Sequence, residues 1–243
     1  MSGLSGLRGF IRTKDPQPPP HPIALRPEYI ADCDTLLYLT PRGNSRSDTN
    51  YTVTDEYDRV RFTVSGRRSS DRECREFRDG SGLPLFELHH KIFKKYPYVV
   101  RLPGCDDENN LLKVSPRHLS ALCNVEFQNA APARTTDVKN HQEDDADKTV
   151  KLVVHCKNAY ALPNYEVMMG DRVVADFRES VVKSKTLTTL PCSHLERPYR
   201  PRPILDLRVA EGVDLSLVED NYNGIRVKDC IKHWNYPRKE WHH

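Results

Sequence analysis

Residues 51–88 alternate apolar and polar side chains in a way that few folds accommodate. Apolar residues stand at or near every second position of this segment: Tyr51, Val53, Val60, Phe62, Val64, Leu83, Leu85 and Leu88. Charged or hydroxyl residues fill most of the gaps, and this period of two is that of a strand with one buried and one solvated face. Asp79-Gly80 and Ser81-Gly82 are turn sequences, because glycine accepts positive φ at little steric cost. The segment is therefore predicted to form an antiparallel meander of short strands.

Strand-like segments of this kind recur along most of the chain. The predicted strands are 35–40, 50–54, 59–65, 73–78, 83–89, 97–102, 111–115, 121–127, 149–156, 164–169, 172–178, 181–190 and 204–210. Long helical patterns do not separate them, which argues against a βαβ fold and favours an antiparallel barrel or sandwich. Residues 128–148 and 191–203 interrupt the series and are predicted loops, the second because a central strand does not tolerate its prolines.

The two ends of the chain depart from the strand pattern. Residues 1–30 are predicted to be a disordered, proline-rich arm, because prolines favour an extended backbone and lack N–H donors. Within the arm, Pro16, Pro19 and Pro22 fit the P-x-x-P spacing of a docking peptide for SH3-like or WW-like domains. The alternative interpretation is a stiff linker.

One segment near the carboxyl end has helical spacing. Asp214 can cap a helix start, and apolar residues then recur at steps of three and four at Leu215, Val218, Tyr222 and Ile225. A single domain is predicted to cover residues 31–233. A polar tail, residues 234–243, follows it.

The charges of the chain nearly balance, but the basic residues are unevenly placed. The net charge is +3, and no continuous basic stripe indicates nucleic-acid binding. One group, here called the arginine band, consists of Arg59, Arg61, Arg67, Arg68 and Arg72. Guanidinium groups suit phosphate oxygens, although acidic neighbours offset part of their field. The band is therefore a predicted lipid or phosphate site, with a solvated strand face as the alternative.

The remaining chemistry-bearing residues show no catalytic or metal-binding spacing. The seven cysteines have no C-x-x-C pair, which predicts reduced thiols rather than a zinc knuckle or a disulfide framework. His89 and His90 are adjacent at a predicted strand end, so they point to opposite faces and do not form a pair. We predict no catalytic residue, no metal and no cofactor. Since the sequence contains neither a signal-peptide core nor an apolar run of about 18 residues, a cytoplasmic location is expected.

Five segments of the chain, taken in order, resemble the LURP-one-related family, within the tubby C-terminal-like superfamily that includes phospholipid scramblases. They are Tyr51 to Asp55, Val60 to Gly66, Asp79 to Leu88, Lys91 to Val100 and Val209 to Leu215. The D-x-S-G-x-P-L-x-x-L block from Asp79 to Leu88 is the most specific of them. The resemblance covers about residues 34–225.

This resemblance implies a mainly β fold: a closed barrel of twelve antiparallel strands around one central, C-terminal helix. Closure removes exposed strand edges, and the helix fills the lumen. Family helices at this position are apolar nearly all round, whereas Glu219 and Asp220 follow the first turn here. A buried ionised carboxylate without a partner costs several kcal/mol. We therefore predict a short buried helix with Leu215, Leu217 and Val218 inside.

The resemblance implies a non-enzymatic, intracellular binding or scaffold protein whose ligand is not identified. The alternative is a peripheral membrane protein that binds phosphoinositides through the arginine band, because tubby-like domains are associated with such lipids. Scrambling is not expected, since residues 225–243 are too polar for a membrane-inserting helix. A protein partner for the proline-rich arm and an anionic phospholipid are the candidate partners. Nucleic acid is not an expected partner, and a monomer is expected.

Overall fold

The structure, a computed structural model, describes residues 14–42, 50–69, 72–90, 98–105, 109–116, 122–132, 148–158, 164–184 and 204–217. These residues include twelve strands: β1 (Thr35–Pro41), β2 (Tyr51–Thr54), β3 (Val60–Ser69), β4 (Arg72–Asp79), β5 (Pro84–His90), β6 (Tyr98–Arg101), β7 (Leu112–Pro116), β8 (Leu122–Gln128), β9 (Thr149–Asn158), β10 (Asn164–Met169), β11 (Arg172–Glu179) and β12 (Leu205–Val209). Two short helical turns accompany them, a 3₁₀ turn (Pro27–Tyr29) and α1 (Val181–Ser184).

The strands close into one antiparallel barrel. Each strand pairs with its neighbours in the sequence, and β1 also pairs with β12, with Thr35 opposite Val209 and Leu39 opposite Leu205. Closure satisfies the hydrogen-bonding groups that an edge strand leaves open. The predicted fold class, mainly β with a closed twelve-stranded antiparallel barrel, is confirmed.

Alternation along the strands directs apolar side chains to the inside of the barrel. Phe62 on β3, Phe86 on β5, Phe177 on β11 and Leu207 on β12 are each at most 1% exposed. One connected core cluster of buried apolar residues receives side chains from all twelve strands. Burying one such large side chain stabilises the fold by about 1.5–3 kcal/mol, so the lumen is the main source of stability among the described residues.

The predicted strand over residues 181–190 is corrected by the structure. Residues 181–184 form α1, and Val181 and Val182 are 66% and 76% exposed. Ser180 begins this turn, because its Oγ accepts a hydrogen bond from the backbone N–H of Lys183 at 3.1 Å. A hydroxyl at the start of a helical turn competes with the strand preference of two adjacent valines. The remainder of that predicted strand lies outside the described residues.

The structure also differs from the predicted disordered arm. Residues 14–34, here called the N-terminal segment, cross one end of the barrel, and Ile23 and Ala24 are fully buried. Ile23 forms a parallel bridge with Val213, and the backbone N–H of Gln17 donates to Val173 O at 2.7 Å. Prolines that cannot donate hydrogen bonds can still pack as an extended chain, and the apolar residues after them are buried here. Residues 1–13 lie outside the described part of the chain.

A helical turn follows Asp214, where the sequence predicted a helix start, but the described residues do not confirm a central helix. Residues 215–217 are helical, and the N–H of Ser216 donates to Asp214 Oδ1 at 2.8 Å, as expected of a capping residue. Leu215 and Leu217 are 4% and 0% exposed. Val218 and the rest of this predicted helix lie outside the described residues, as do most of the predicted loop 128–148, the whole of 191–203 and the tail 234–243. Among the described helical residues, no segment has the length and apolar character needed to cross a membrane.

Candidate functional site

A cysteine, a glutamate and a histidine meet on the outer face of the barrel. Cys74 on β4 lies directly opposite His89 on β5, and Glu87 precedes His89 by two residues on the same strand. The intervening positions face the interior, where Phe77 and Leu88 are 2% and 3% exposed. Because strand side chains alternate between faces, Cys74, Glu87 and His89 all point outward. We call these three residues the Cys–Glu–His cluster.

The donor atoms of the Cys–Glu–His cluster converge on one point. His89 Nε2 lies 3.9 Å from Cys74 Sγ and 3.0 Å from Glu87 Oε2, and the three donor atoms are all within 4.8 Å of one another. The side chains of His89 and Glu87 are 21% and 24% exposed, so the cluster is reachable from solvent but partly shielded.

This geometry differs from that of a nucleophilic triad. In a triad the thiol and the acid contact opposite nitrogens of the imidazole, so that a proton passes across the ring. Here the thiol and the carboxylate both approach Nε2 of His89. Three potential ligand atoms around one centre are the arrangement of a metal site.

Sequence reasoning missed this cluster. It considered His89 only beside its neighbour His90, concluded that the two do not form a pair, and predicted no metal, because Cys74 stands 15 residues before His89. The missing signal was the hairpin register. The turn Asp79-Gly80-Ser81-Gly82 joins β4 to β5, and the register it sets places Cys74 opposite His89.

The residues of the arginine band occupy two places along β3 and β4. Arg59 and Arg61 lie at the start of β3, and both are exposed. Arg67 and Arg68 lie near the other end of that strand, and Arg72 begins β4 beside them, opposite Ser69. Six residues separate Arg61 from Arg67, which corresponds to about 20 Å along a strand. The side chains of Arg67, Arg68 and Arg72 are outside the described part of the structure.

Exposed apolar residues lie at the turn that contains Arg59 and at the neighbouring β4–β5 turn. Tyr57 is 74% exposed, Val60 44% and Leu83 55%, and the Arg59 guanidinium lies 4.9 Å from the centre of the Tyr57 ring. The β2–β3 and β4–β5 turns are in contact, because a Cβ on Gly80 would lie 2.3 Å from Val60 O. We call Tyr57, Arg59, Val60, Arg61 and Leu83 the turn patch.

Two acidic residues next to the turn patch already have partners. Asp55 Oδ1 accepts hydrogen bonds from the N–H groups of Tyr57 and Arg59, at 2.9 and 3.0 Å. Asp58 forms an ion pair with Lys183 of α1, with 2.6 Å between Oδ1 and Nζ. Lys183 offsets the charge of Asp58, so the acidic residues reduce the field of Arg59 and Arg61 less than their number in the sequence indicates.

The three prolines of the predicted docking peptide lie along the N-terminal segment. Pro19 is buried, and its Cδ lies 3.7 Å from the position that a Cβ on Gly212 would take. Pro16 and Pro22 are partly exposed, and Pro22 O accepts a hydrogen bond from Asn129 Nδ2 at 3.0 Å. The structure therefore places this P-x-x-P set against the barrel.

A buried carboxylate attaches the N-terminal segment to the helical residues 215–217. Asp214 is 0% exposed, and its Oδ2 accepts hydrogen bonds from the N–H groups of Leu25 and Arg26 at 2.9 and 2.8 Å. Its Oδ1 accepts from the N–H and the hydroxyl of Ser216 at 2.8 and 2.7 Å. Burial raises the pKa of Asp214, although all four hydrogen bonds act to lower it.

Comparison with known proteins agrees with the barrel. The chain is similar in structure to a protein from Arabidopsis thaliana whose X-ray structure is known, with a TM-score of 0.50 and 16% sequence identity. The superposition covers 86% of this chain and 98% of that protein, and at this identity it shows the fold alone. No curated protein sequence matches the chain.

The family match rests on the sequence itself. The family description LURP-one-related matches residues 35–218, a range that begins at the first residue of β1 and extends past the end of β12. It therefore includes all twelve strands, the turn patch and the Cys–Glu–His cluster. The chain belongs to the LURP-one-related family.

Proposed function

We propose that this chain is a non-enzymatic binding protein that recognises its partner with the outside of the barrel. The observation that supports this most directly is the apolar core cluster, to which all twelve strands contribute. Polar groups with exposed or half-exposed atoms, such as those of the turn patch, lie on the outer face. A site for recognition or binding is therefore expected on the outside, where the turns between strands are held by a rigid scaffold. Cys33, Cys74, Cys105 and Cys123 are thiols, which supports the cytoplasmic location in this proposal.

The turn patch is the recognition surface in this proposal. Exposed Tyr57 and Leu83 supply apolar contact area, and Arg59 and Arg61 supply charge-assisted donors. Aromatic and arginine residues are enriched where partners bind, because they bury a large area and retain directional hydrogen bonds.

Site-specific photo-crosslinking tests the recognition surface. A photoreactive amino acid at position 83 is expected to give a defined adduct in extract of the source organism. The control carries the same amino acid at position 151, where exposed Lys151 stands on β9, six strands away from β3 around the ring. The same adducts from both positions, or none from position 83, would contradict this assignment.

An anionic membrane is the second candidate partner, and the turn patch is the observation that favours it. Exposed apolar side chains beside arginines are the combination that inserts into the headgroup region of an acidic bilayer. Asp58 is paired with Lys183, which leaves Arg59 and Arg61 with less opposing charge nearby.

Vesicle co-sedimentation tests this second candidate. Phosphatidylcholine vesicles with and without a phosphoinositide are compared, and only the acidic vesicles are expected to bind the protein. Arg61→Glu is expected to weaken binding roughly 30-fold, because reversing one charge near the surface changes the binding free energy by about 2 kcal/mol. Lys151→Glu makes the same charge change on the opposite side of the barrel and is the matched control. Equal binding by both variants rejects the turn patch, and Arg67→Glu/Arg68→Glu then tests the other end of the arginine band.

A further inference from the structure

We propose that the Cys–Glu–His cluster binds a zinc ion on the outer face of β4 and β5. The cluster supplies a thiolate, an imidazole nitrogen and a carboxylate oxygen, which are the three ligand types that zinc takes in proteins. Magnesium and calcium prefer all-oxygen sites, so this donor set discriminates against them. The inference is independent of the partner that the turn patch binds.

The distances between the donor atoms fit a tetrahedral zinc site. Zinc–sulfur and zinc–nitrogen bonds of about 2.3 and 2.0 Å at a tetrahedral angle place the two donors about 3.5 Å apart, and nitrogen and oxygen about 3.3 Å apart. The corresponding distances here are 3.9 Å between Cys74 Sγ and His89 Nε2, and 3.0 Å between His89 Nε2 and Glu87 Oε2. Side-chain shifts of a few tenths of an ångström bring His89 Nε2 to these distances from the other two donor atoms, and all three atoms lie within 4.8 Å of one another.

The strand ladder fixes the backbones of all three ligands. Cys74 and His89 are cross-strand partners, and Glu87 shares a face with His89 because it is two residues away on β5. Val99, which lies opposite His89 on β6, is 2% exposed and forms an apolar wall beside the cluster. Ligands held on strands and flanked by buried apolar surface lose little entropy on binding an ion.

The charge of the cluster also favours a divalent cation. When zinc binds, the Cys74 thiol releases its proton to solvent, and the resulting thiolate and the Glu87 carboxylate together carry two negative charges, which the ion neutralises. Glu76 lies opposite Glu87 on β4, and Arg101 lies opposite it on β6, so the flanking charges are of opposite sign. Three protein ligands leave a fourth zinc position for water or for a donor from a partner.

Cobalt titration of the full-length, reduced protein tests the site, because cobalt(II) bound to a thiolate gives a charge-transfer absorption band. We expect this band to saturate at one equivalent of cobalt and to disappear when zinc is added, whereas magnesium has no effect. Cys74→Ser is expected to remove the band, and His89→Gln is expected to weaken cobalt binding at least about tenfold. Cys33→Ser changes an exposed thiol at the other end of the barrel and is the matched control, with an unchanged band.

Thermal unfolding provides a second readout that a folding defect does not mimic. Zinc is expected to raise the melting temperature of the wild-type protein, since an ion that binds only the folded state stabilises it. The same addition is expected to leave the melting temperature of folded Cys74→Ser unchanged. The proposal is overturned if the wild-type protein shows no thiolate–cobalt band, or if Cys74→Ser keeps both the band and the zinc-induced shift.

Discussion

Two turns of this protein share the sequence Asp-x-Ser and the same local hydrogen bonds, yet their carboxylates differ in pKa. Asp79 Oδ1 accepts from the N–H and the hydroxyl of Ser81 at 2.8 and 2.7 Å. Asp214 Oδ1 accepts from the same two groups of Ser216 at the same distances. The hydrogen bond from Ser81 lowers the pKa of Asp79, whereas burial raises the pKa of Asp214.

The difference shows that a local motif does not determine the protonation behaviour of its acid. Asp79 lies in the partly exposed β4–β5 turn, so water still solvates its charge. Asp214 is 0% exposed beneath the N-terminal segment, where the loss of hydration outweighs four hydrogen bonds. The tertiary surroundings therefore reverse the direction in which the pKa of the aspartate is shifted.

Removal of the two carboxylates is the strongest way to test this comparison. Asp214→Ala is expected to lower the free energy of unfolding by about 3–5 kcal/mol, because Leu25, Arg26 and Ser216 all lose a charged acceptor at a buried site. Asp79→Ala removes hydrogen bonds in a partly exposed turn and is expected to cost about 1–2 kcal/mol. Chemical denaturation followed by circular dichroism measures both values. Equal losses would show that burial does not separate the two turns.

A glycine lies within two residues of each carboxylate, and replacing these glycines by alanine tests how tightly each turn is packed. A Cβ on Gly80 would meet the backbone oxygen of Val60 at 2.3 Å, so Gly80→Ala is expected to cost about 2–3 kcal/mol. Gly212 has φ +83° but its nearest neighbours would lie 3.7 Å from a Cβ, so Gly212→Ala is expected to cost about 1–2 kcal/mol through backbone strain alone. Gly170→Ala, with φ +63° and no atom within 4 Å of its Cβ position, is the control for strain without contact. The same denaturation measurement ranks the three variants, and a Gly80→Ala loss no larger than that of Gly170→Ala contradicts the contact.

The change in the free energy of unfolding with pH is expected to be the smallest of these effects, but it should have opposite signs for Asp79 and Asp214. Because the pKa of Asp79 is lowered, its contribution is present above the ordinary value of 3.8 and is lost as the pH falls through its lower folded value. Because the pKa of Asp214 is raised, the wild-type protein gains stability as the pH falls through that raised value toward 3.8. As the pH falls, the difference in the free energy of unfolding between wild type and Asp214→Ala should therefore grow. The difference between wild type and Asp79→Ala should shrink, and it should do so at a lower pH. Denaturation midpoints across this pH range measure both trends, and parallel trends would contradict the opposite shifts.

Much of the barrel could be predicted from the sequence. Alternation at Phe62 and Val64 places these residues inside, and Asp79-Gly80 forms the predicted turn. Asp214 caps a helix start, as its position before Leu215 indicated. These features depend on side-chain period and backbone preference over a few residues, which the sequence displays directly. The number of strands and the closure of the barrel were implied by the family resemblance rather than by the period.

The candidate site could not be predicted in the same way. The Cys–Glu–His cluster depends on the register of β4 against β5, and a shift of one residue would place Cys74 and His89 on opposite faces. The arginine band was predicted as one group, but about 20 Å of strand separates Arg61 from Arg67. The exposure of Tyr57 and Leu83 follows from the packing of two turns, which no single segment encodes.

The sequence by itself determined most of the strands, their inward-facing residues and the turn residues between them, because each depends on neighbours within a few positions. Only the tertiary structure decided that Ile23 is buried, that Pro19 packs near Gly212 and that the pKa of Asp214 is raised. Those outcomes depend on residues that are far apart in the sequence. The hydrogen bond from the N–H of Leu25 to Asp214, for example, joins residues 189 positions apart. Desolvation is a property of all the atoms that exclude water from a group, so it exists only once the distant segments have come together.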